Sequence, residues 1–340
     1  ICPDKDYLVD EIIGAGDLVV LAGDTGLGKS LIAHQIGVSL AVGEPDVLGF
    51  KIPKQRRVLY LNFELSNDEF NRRHRKIASI IGANNLLKNF HINVVGNKKG
   101  LFEDNWDRII ETIKNSYPYD LIIVDNLYAS TDVNDEKNFD LKRILKKITN
   151  VANVNGSAVL LVTHHRKHHP EENLSIYLVR GGSTLTNAMD MVLQVGRSLQ
   201  DHELRYLTIT KNRYYSPHMN KALGLRLDQE TLLFENIGEI SEKKHLTPLT
   251  EDQNDILSRL PDEFKTADLK KSMKEQGYSE RVIYDWLKKF QNNDHIKKQG
   301  QGKYSKNDSD FLCKKGVSVY IAYLAYRGVW LIASKNYTSL

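Results

Sequence analysis

At 340 residues, with 41% hydrophobic and 26% charged residues, the chain has ordinary globular composition, which argues against a disordered, collagen-like or multispanning membrane protein. That length accommodates one sizeable α/β core and a smaller second domain. The net charge of +4 is too mild to name a partner, and Cys2 and Cys313, at opposite ends without metal-ligand spacing, argue against a disulfide framework or a zinc site.

The chain opens at Ile1 without a basic segment followed by an apolar run. No signal peptide is therefore expected, residues before Ile1 are, and the location is read as cytoplasmic. From Asp17 to about Asn236, short apolar runs alternate with amphipathic stretches, the pattern of a largely parallel sheet with crossover helices. Central strands are predicted at Leu18 to Ala22, Val58 to Phe63, Leu121 to Asp125 and Ala158 to Thr163, nearly continuously apolar as strands buried on both faces should be. After Asp190 the runs Met191 to Gly196, Leu204 to Thr210, Leu223 to Leu227 and Leu232 to Asn236 leave no room for helices and predict an antiparallel extension.

The polar stretch Gly238 to Leu249 reads as a linker. Helices are expected at Glu251 to Leu260, Thr266 to Gln276 and Ser279 to Asn292, followed by a basic, glycine-bearing turn from His295 to Lys306. That order resembles a winged helix-turn-helix. The resulting division is an α/β core over 1–240, a linker over 241–249, the winged unit over 250–306 and an apolar tail over 307–340. Within the tail, Gly316 to Ser334 is borderline for a membrane span because it holds Arg327, so a packed terminal element is preferred and no membrane partner is expected.

The chemistry begins at Gly23-Asp24-Thr25-Gly26-Leu27-Gly28-Lys29-Ser30, a full phosphate-binding loop with a predicted strand before it and a helix-compatible run from Leu31 after it. Glycines let the backbone curl, and successive N–H groups make an anion nest at a helix N-terminus. Lys29 is assigned to the β- and γ-phosphates of ATP and Ser30 to Mg²⁺. Asp125 ends a buried strand where open α/β sheets bind ligands, which suits it to the metal water, a capping aspartate being the alternative. Asn126, not a glutamate, follows it. The general base must come from elsewhere, and Glu64, at the end of another central strand, is the candidate beside the reading of an ordinary surface glutamate.

From Asp17 to Ile237 these residues resemble the RecA-like hexameric ATPases, particularly the RepA-type plasmid replicative helicases and the DnaB-type helicases. The resemblance implies a RecA-like P-loop NTPase fold, a homo-oligomer, most simply a hexamer, and Glu64 as the catalytic acid, with Arg72, Arg73 and Arg75 on the basic helix that follows. Leu160-Leu161-Val162-Thr163-His164-His165 is similar to a strand ending in two histidines in RepA-type proteins, which implies His165 as the γ-phosphate sensor. The histidines can also be read as a loop opening or transient metal ligands, although their spacing with His168 and His169 is irregular for a dedicated site. Val179-Arg180-Gly181-Gly182-Ser183-Thr184 and Thr210-Lys211-Asn212-Arg213 are similar to DnaB-type segments. They imply that Lys211 and Arg213 reach the neighbouring subunit's nucleotide, where a cation supplied in trans stabilises the transferring phosphoryl group. The first strand starts too early for a DnaB-type N-terminal collar, which favours the RepA likeness.

Single-stranded DNA is expected in the ring channel, at the loop Arg166 to Leu178 with Arg166 and Lys167, and at Arg180. The helix over 280–292 places Ile283, Leu287 and Phe290 on one stripe and leaves Arg281, Lys288 and Lys289 on another face. With Lys298 and Lys303 on the wing, these suit duplex DNA. An ATP-driven motor on DNA is the leading expectation, and an ATP-switched DNA-binding regulator without unwinding is the alternative.

Overall fold

The computed structural model describes residues 5–81, 86–94, 110–111, 113–115, 118–128, 138–214 and 216–307. The apolar tail expected over 307–340 lies outside the described residues apart from its first residue. The continuously apolar runs form the centre of a nine-stranded sheet. We number its strands β1 (Leu18–Gly23), β2 (Val58–Asn62), β3 (Phe90–Val94), β4 (Leu121–Asp125), β5 (Ala158–His164), β6 (Met191–Arg197), β7 (Leu204–Asn212), β8 (Ala222–Leu227) and β9 (Phe234–Ile240). Their order is β9-β8-β7-β6-β1-β5-β4-β2-β3. From β3 to β6 all neighbours are parallel, and β7, β8 and β9 add antiparallel hairpins.

Alternation along these strands feeds two cores, which is why the runs are apolar without a break. One face sends Val19, Leu21, Tyr60, Ile123 and Leu160 against helix α1 (Lys29–Val42) and helix α2 (Asn67–Ile81). The other sends Val20, Leu61, Ile122 and Leu161 against helix α3 (Asn138–Asn155), whose Leu141, Leu145 and Ile148 recur at helical spacing. Helix α1 is buried over most of its surface, between the sheet and the last strand. Its Gln35 side chain accepts from Phe234 N–H at 2.8 Å and donates to Phe234 C=O at 3.0 Å, fastening β9 to the helix that follows the phosphate loop.

The stretch read as a linker is ordered differently. Strand β9 runs to Ile240 and helix α5 (Glu242–Leu246) follows at once, with His245 and Leu246 buried. Ser198 Oγ lies 2.9 Å from His245 Nδ1, and Glu242 accepts from Leu174 N–H at 2.6 Å, so the polar composition of this stretch serves contacts to the core.

Beyond it, α6 (Glu251–Arg259), β10 (Glu263–Lys265), α7 (Thr266–Glu275), α8 (Glu280–Asn292), β11 (Ile296–Gly300) and β12 (Lys303–Lys306) enclose a separate core of Ile256, Phe264, Leu269, Met273, Ile283, Leu287 and Phe290. The three strands pair antiparallel in the order β10-β12-β11. Thr250 and Gln253 form a reciprocal capping box at the start of α6.

Candidate nucleotide site

The parallel strands all end on one edge of the sheet, and the first βα turn curls there. Gly26 and Gly28 hold φ of 79° and 86°, a region that L side chains avoid, and a Cβ on Gly28 would lie 2.7 Å from the Phe234 ring. Lys29 is 6% exposed, and its Nζ donates to the Asp24 carbonyl at 2.8 Å, closing the loop on itself. Burial pushes the Lys29 ammonium down from its ordinary value, with Glu64, Asp125 and Asp24 opposing the shift.

Asp125 is fully buried and bound by two hydroxyls. Ser30 Oγ donates to its Oδ1 at 3.1 Å and Tyr60 OH to its Oδ2 at 2.7 Å. Burial pushes the carboxyl up to about 6, although both hydroxyls pull the other way. The adjacent hydroxyl and carboxylate oxygens are the hard donors that Mg²⁺ prefers, so Ser30 and Asp125 fit that ion.

Strands β2 and β4 are in register with Asn62 opposite Asp125, so the residues that follow emerge side by side. Asn126 Nδ2 donates to Glu64 Oε2 at 2.7 Å and lies 3.3 Å from His164 Nε2. His164 Nδ1 in turn lies 3.4 Å from Lys29 Nζ. A neutral imidazole can accept only one of these donors, so its tautomer selects between the lysine and the amide. Burial, with help from Lys29, pushes the His164 pKa down and favours the neutral ring. Lys29, Ser30, Asp125, Glu64, Asn126 and His164 thus form one polar cluster at the carboxyl ends of the strands, where open α/β sheets bind ligands.

Several expectations require correction. The histidine against Lys29 is His164, one position before His165, because successive side chains leave a strand on opposite sides. His165 is buried beside Asp24, with Nδ1 3.4 Å from Oδ1. Lys211 is not a free cation: its Nζ donates to the Thr186 and Met189 carbonyls at 2.7 and 2.6 Å, at the end of helix α4 (Gly182–Ala188). Arg213 donates to Asp190 Oδ1 at 2.9 Å and to the Asn187 carbonyl at 3.0 Å, and remains half-exposed. Arg180, expected at DNA, stacks 4.2 Å from the Tyr128 ring centre and bonds through its N–H to the His164 carbonyl. Lys289 turns inward to Gln253 Oε1 at 3.1 Å. Arg166, Lys167, Arg281, Lys288, Lys298 and Lys303 are exposed. Tyr60, Asn126 and His164 were missed as site residues, and the available signals were a tyrosine inside an apolar strand and polar residues directly after two strand ends.

The AAA domain family matches residues 2–170. This stretch contains the glycine-rich loop, Glu64, Asp125 and both strand-end histidines, and its similarity to the AAA domain supports ATPase activity of the P-loop type. No curated protein matches the chain significantly.

Proposed function

On this ATPase core, we propose that the protein is an oligomeric, ATP-driven motor acting on DNA, of the RepA-type replicative helicase class. The observation that carries the reading is the joining of Lys29, Ser30, Asp125, Glu64 and His164 at the ends of adjacent parallel strands. Lys29 binds the terminal phosphates, and Ser30 with Asp125 would hold Mg²⁺, which neutralises charge on the transferring phosphoryl group. Glu64, exposed and oriented by Asn126, positions the attacking water. His164 touches the phosphate-loop lysine and is main-chain bonded to Arg180, so it is suited to pass the state of the phosphates to the loop 166–181.

The DNA reading rests on Arg166 and Lys167, exposed next to that strand end, and on Tyr177, 75% exposed in the same loop, which offers a stacking face. We read the second unit as a winged helix because its helix, strand, helix, helix, strand, strand order matches that motif, with Arg281, Lys288, Lys298 and Lys303 exposed for duplex phosphates. A second reading, an ATP-switched DNA-binding regulator, is favoured by one observation. Both proposed trans-acting cations, Lys211 and Arg213, are tied to their own chain. In the motor, subunit contact must redirect Arg213, the more exposed of the two.

Steady-state ATP hydrolysis with and without single-stranded DNA separates these readings. The motor predicts stimulation by single strands, with turnover abolished in Lys29→Ala and in Arg213→Ala while the latter still binds nucleotide. Turnover indifferent to single strands, together with a silent Arg213→Ala, would sink the motor and favour the switch.

A further inference from the structure

Beside the phosphate loop lies a cluster that the nucleotide reading does not use. The Asp24 side chain points there, with Oδ1 3.1 Å from His168 Nε2 and 3.4 Å from His165 Nδ1. His165 is 8% exposed, and both of its ring nitrogens are buried without a hydrogen-bond partner. A buried imidazole in that condition leaves its polar atoms uncompensated, at a cost comparable to a lost hydrogen bond or more. His168 already satisfies Asp24, so a hydrogen-bonded pair accounts for two of the three residues and leaves His165 unexplained.

A shared ion accounts for all three. One ligand atom from each of Asp24, His165 and His168 lies within 4.8 Å of the others. In a tetrahedral site with bond lengths of roughly 2.0–2.1 Å, neighbouring ligand atoms are about 3.3 Å apart. The 3.1 and 3.4 Å separations around Asp24 Oδ1 bracket that edge length. The two imidazoles meet edge to face at 75°, so neither ring blocks the other's nitrogen. The three residues also line a cavity of about 360 Å³ that Glu172 and Tyr206 border, which leaves room for a fourth ligand such as water.

We propose that Asp24, His165 and His168 form a binding site for a divalent transition-metal ion of the zinc class. Two imidazole nitrogens with one carboxylate suit zinc, cobalt or nickel and disfavour Mg²⁺ and Ca²⁺, which take oxygen ligands. The site is therefore distinct from the Ser30–Asp125 pair. Its ion bridges the second residue of the phosphate loop to the segment after β5. Because the Asp24 carbonyl also accepts from Lys29 Nζ, the ion braces the loop from outside. Sequence spacing alone does not reveal the site, since Asp24 joins the histidines only through the parallel pairing of β1 with β5.

The test uses the full chain, stripped by chelator and free of nucleotide, so that it does not depend on the nucleotide reading. Zn²⁺ is titrated against a chromogenic chelator, and Co²⁺ is added to a second sample for its visible absorption. The expected result is one ion per chain, a tetrahedral Co²⁺ spectrum displaced by Zn²⁺, and no displacement by excess Mg²⁺. His168→Gln keeps a hydrogen-bonding group for Asp24 but removes the imidazole. It should weaken Zn²⁺ binding by at least ~100-fold, since loss of an outer-shell partner alone costs about 10–100-fold. His169→Gln, on an exposed neighbour, should leave binding unchanged. No stoichiometric ion, an octahedral Co²⁺ spectrum, displacement by Mg²⁺, or unweakened binding in a folded His168→Gln would each overturn the site. If that variant does not fold, the wild-type Co²⁺ spectrum and its Mg²⁺ competition decide.

Discussion

Asp125 meets hydroxyls from Ser30 and Tyr60 rather than a bonded cation, and its burial raises the carboxyl to about 6. The folded chain then holds a proton that the unfolded chain releases near 3.8, so stability falls as pH rises through about 4 to 6. A rise of roughly two units at about 1.4 kcal/mol each bounds the loss near 3 kcal/mol. Urea unfolding of the nucleotide-free protein at pH 4.5 and 7 should show this loss. In Asp125→Asn it should be largely absent, while hydrolysis is abolished; parallel pH dependence in the two proteins would discredit the assignment. The sequence alone yields Lys29, Ser30, Glu64 and Asp125, since a glycine-rich loop and apolar runs ending in carboxylates mark one edge of a sheet. Its limit lies in phase. Whether His164 or His165 meets Lys29 depends on how β5 is registered against β1, a property of two distant segments together.

The elements follow the same division. The four central strands and the three helices after Thr250 are legible because continuous apolar runs and helical stripes are strong local signals. Strand β3, with His91 and Asn93 exposed, and strand β10, three residues long, lack such a signal and exist through pairing. Helix α5 was hidden because two buried residues sit in a run of Ser, Glu and Lys. Where elements meet, the Gln35–Phe234 bridge is open to test. Gln35→Leu would leave the buried Phe234 N–H and C=O without their side-chain partner, a loss of about 2–6 kcal/mol at roughly 1–3 per group, measurable by urea denaturation. A change below about 0.5 kcal/mol, within ordinary surface variation, would mean that β9 is held by its other contacts. On helix α8, Arg281→Ala with Lys288→Ala removes two exposed cations and no core contact. Duplex binding should weaken at constant stability, and the slope of log affinity against log salt should become shallower by about 2. An unaltered slope would take the second unit off the duplex.

For the whole molecule, the motor reading demands assembly, because one chain keeps Arg213 on its own Asp190. Sedimentation with Mg²⁺ and a non-hydrolysable ATP analogue should shift the protein to a multimer. A chain that stays monomeric at micromolar concentration with nucleotide bound would remove the ring from consideration. Among the described residues no helix is long and apolar enough to cross a membrane. The contact of Gly28 with the Phe234 ring, and the fastening of that residue to Gln35, also bear on how the chain is made. The glycine-rich loop leaves the ribosome before its packing partner, which comes more than two hundred residues later. Until β9 has been synthesised and has docked, helix α1 lacks part of its cover and the loop lacks the ring that backs it. A nascent chain therefore acquires its full nucleotide site late, and nucleotide added during translation should protect it from protease only after β9 has cleared the exit tunnel.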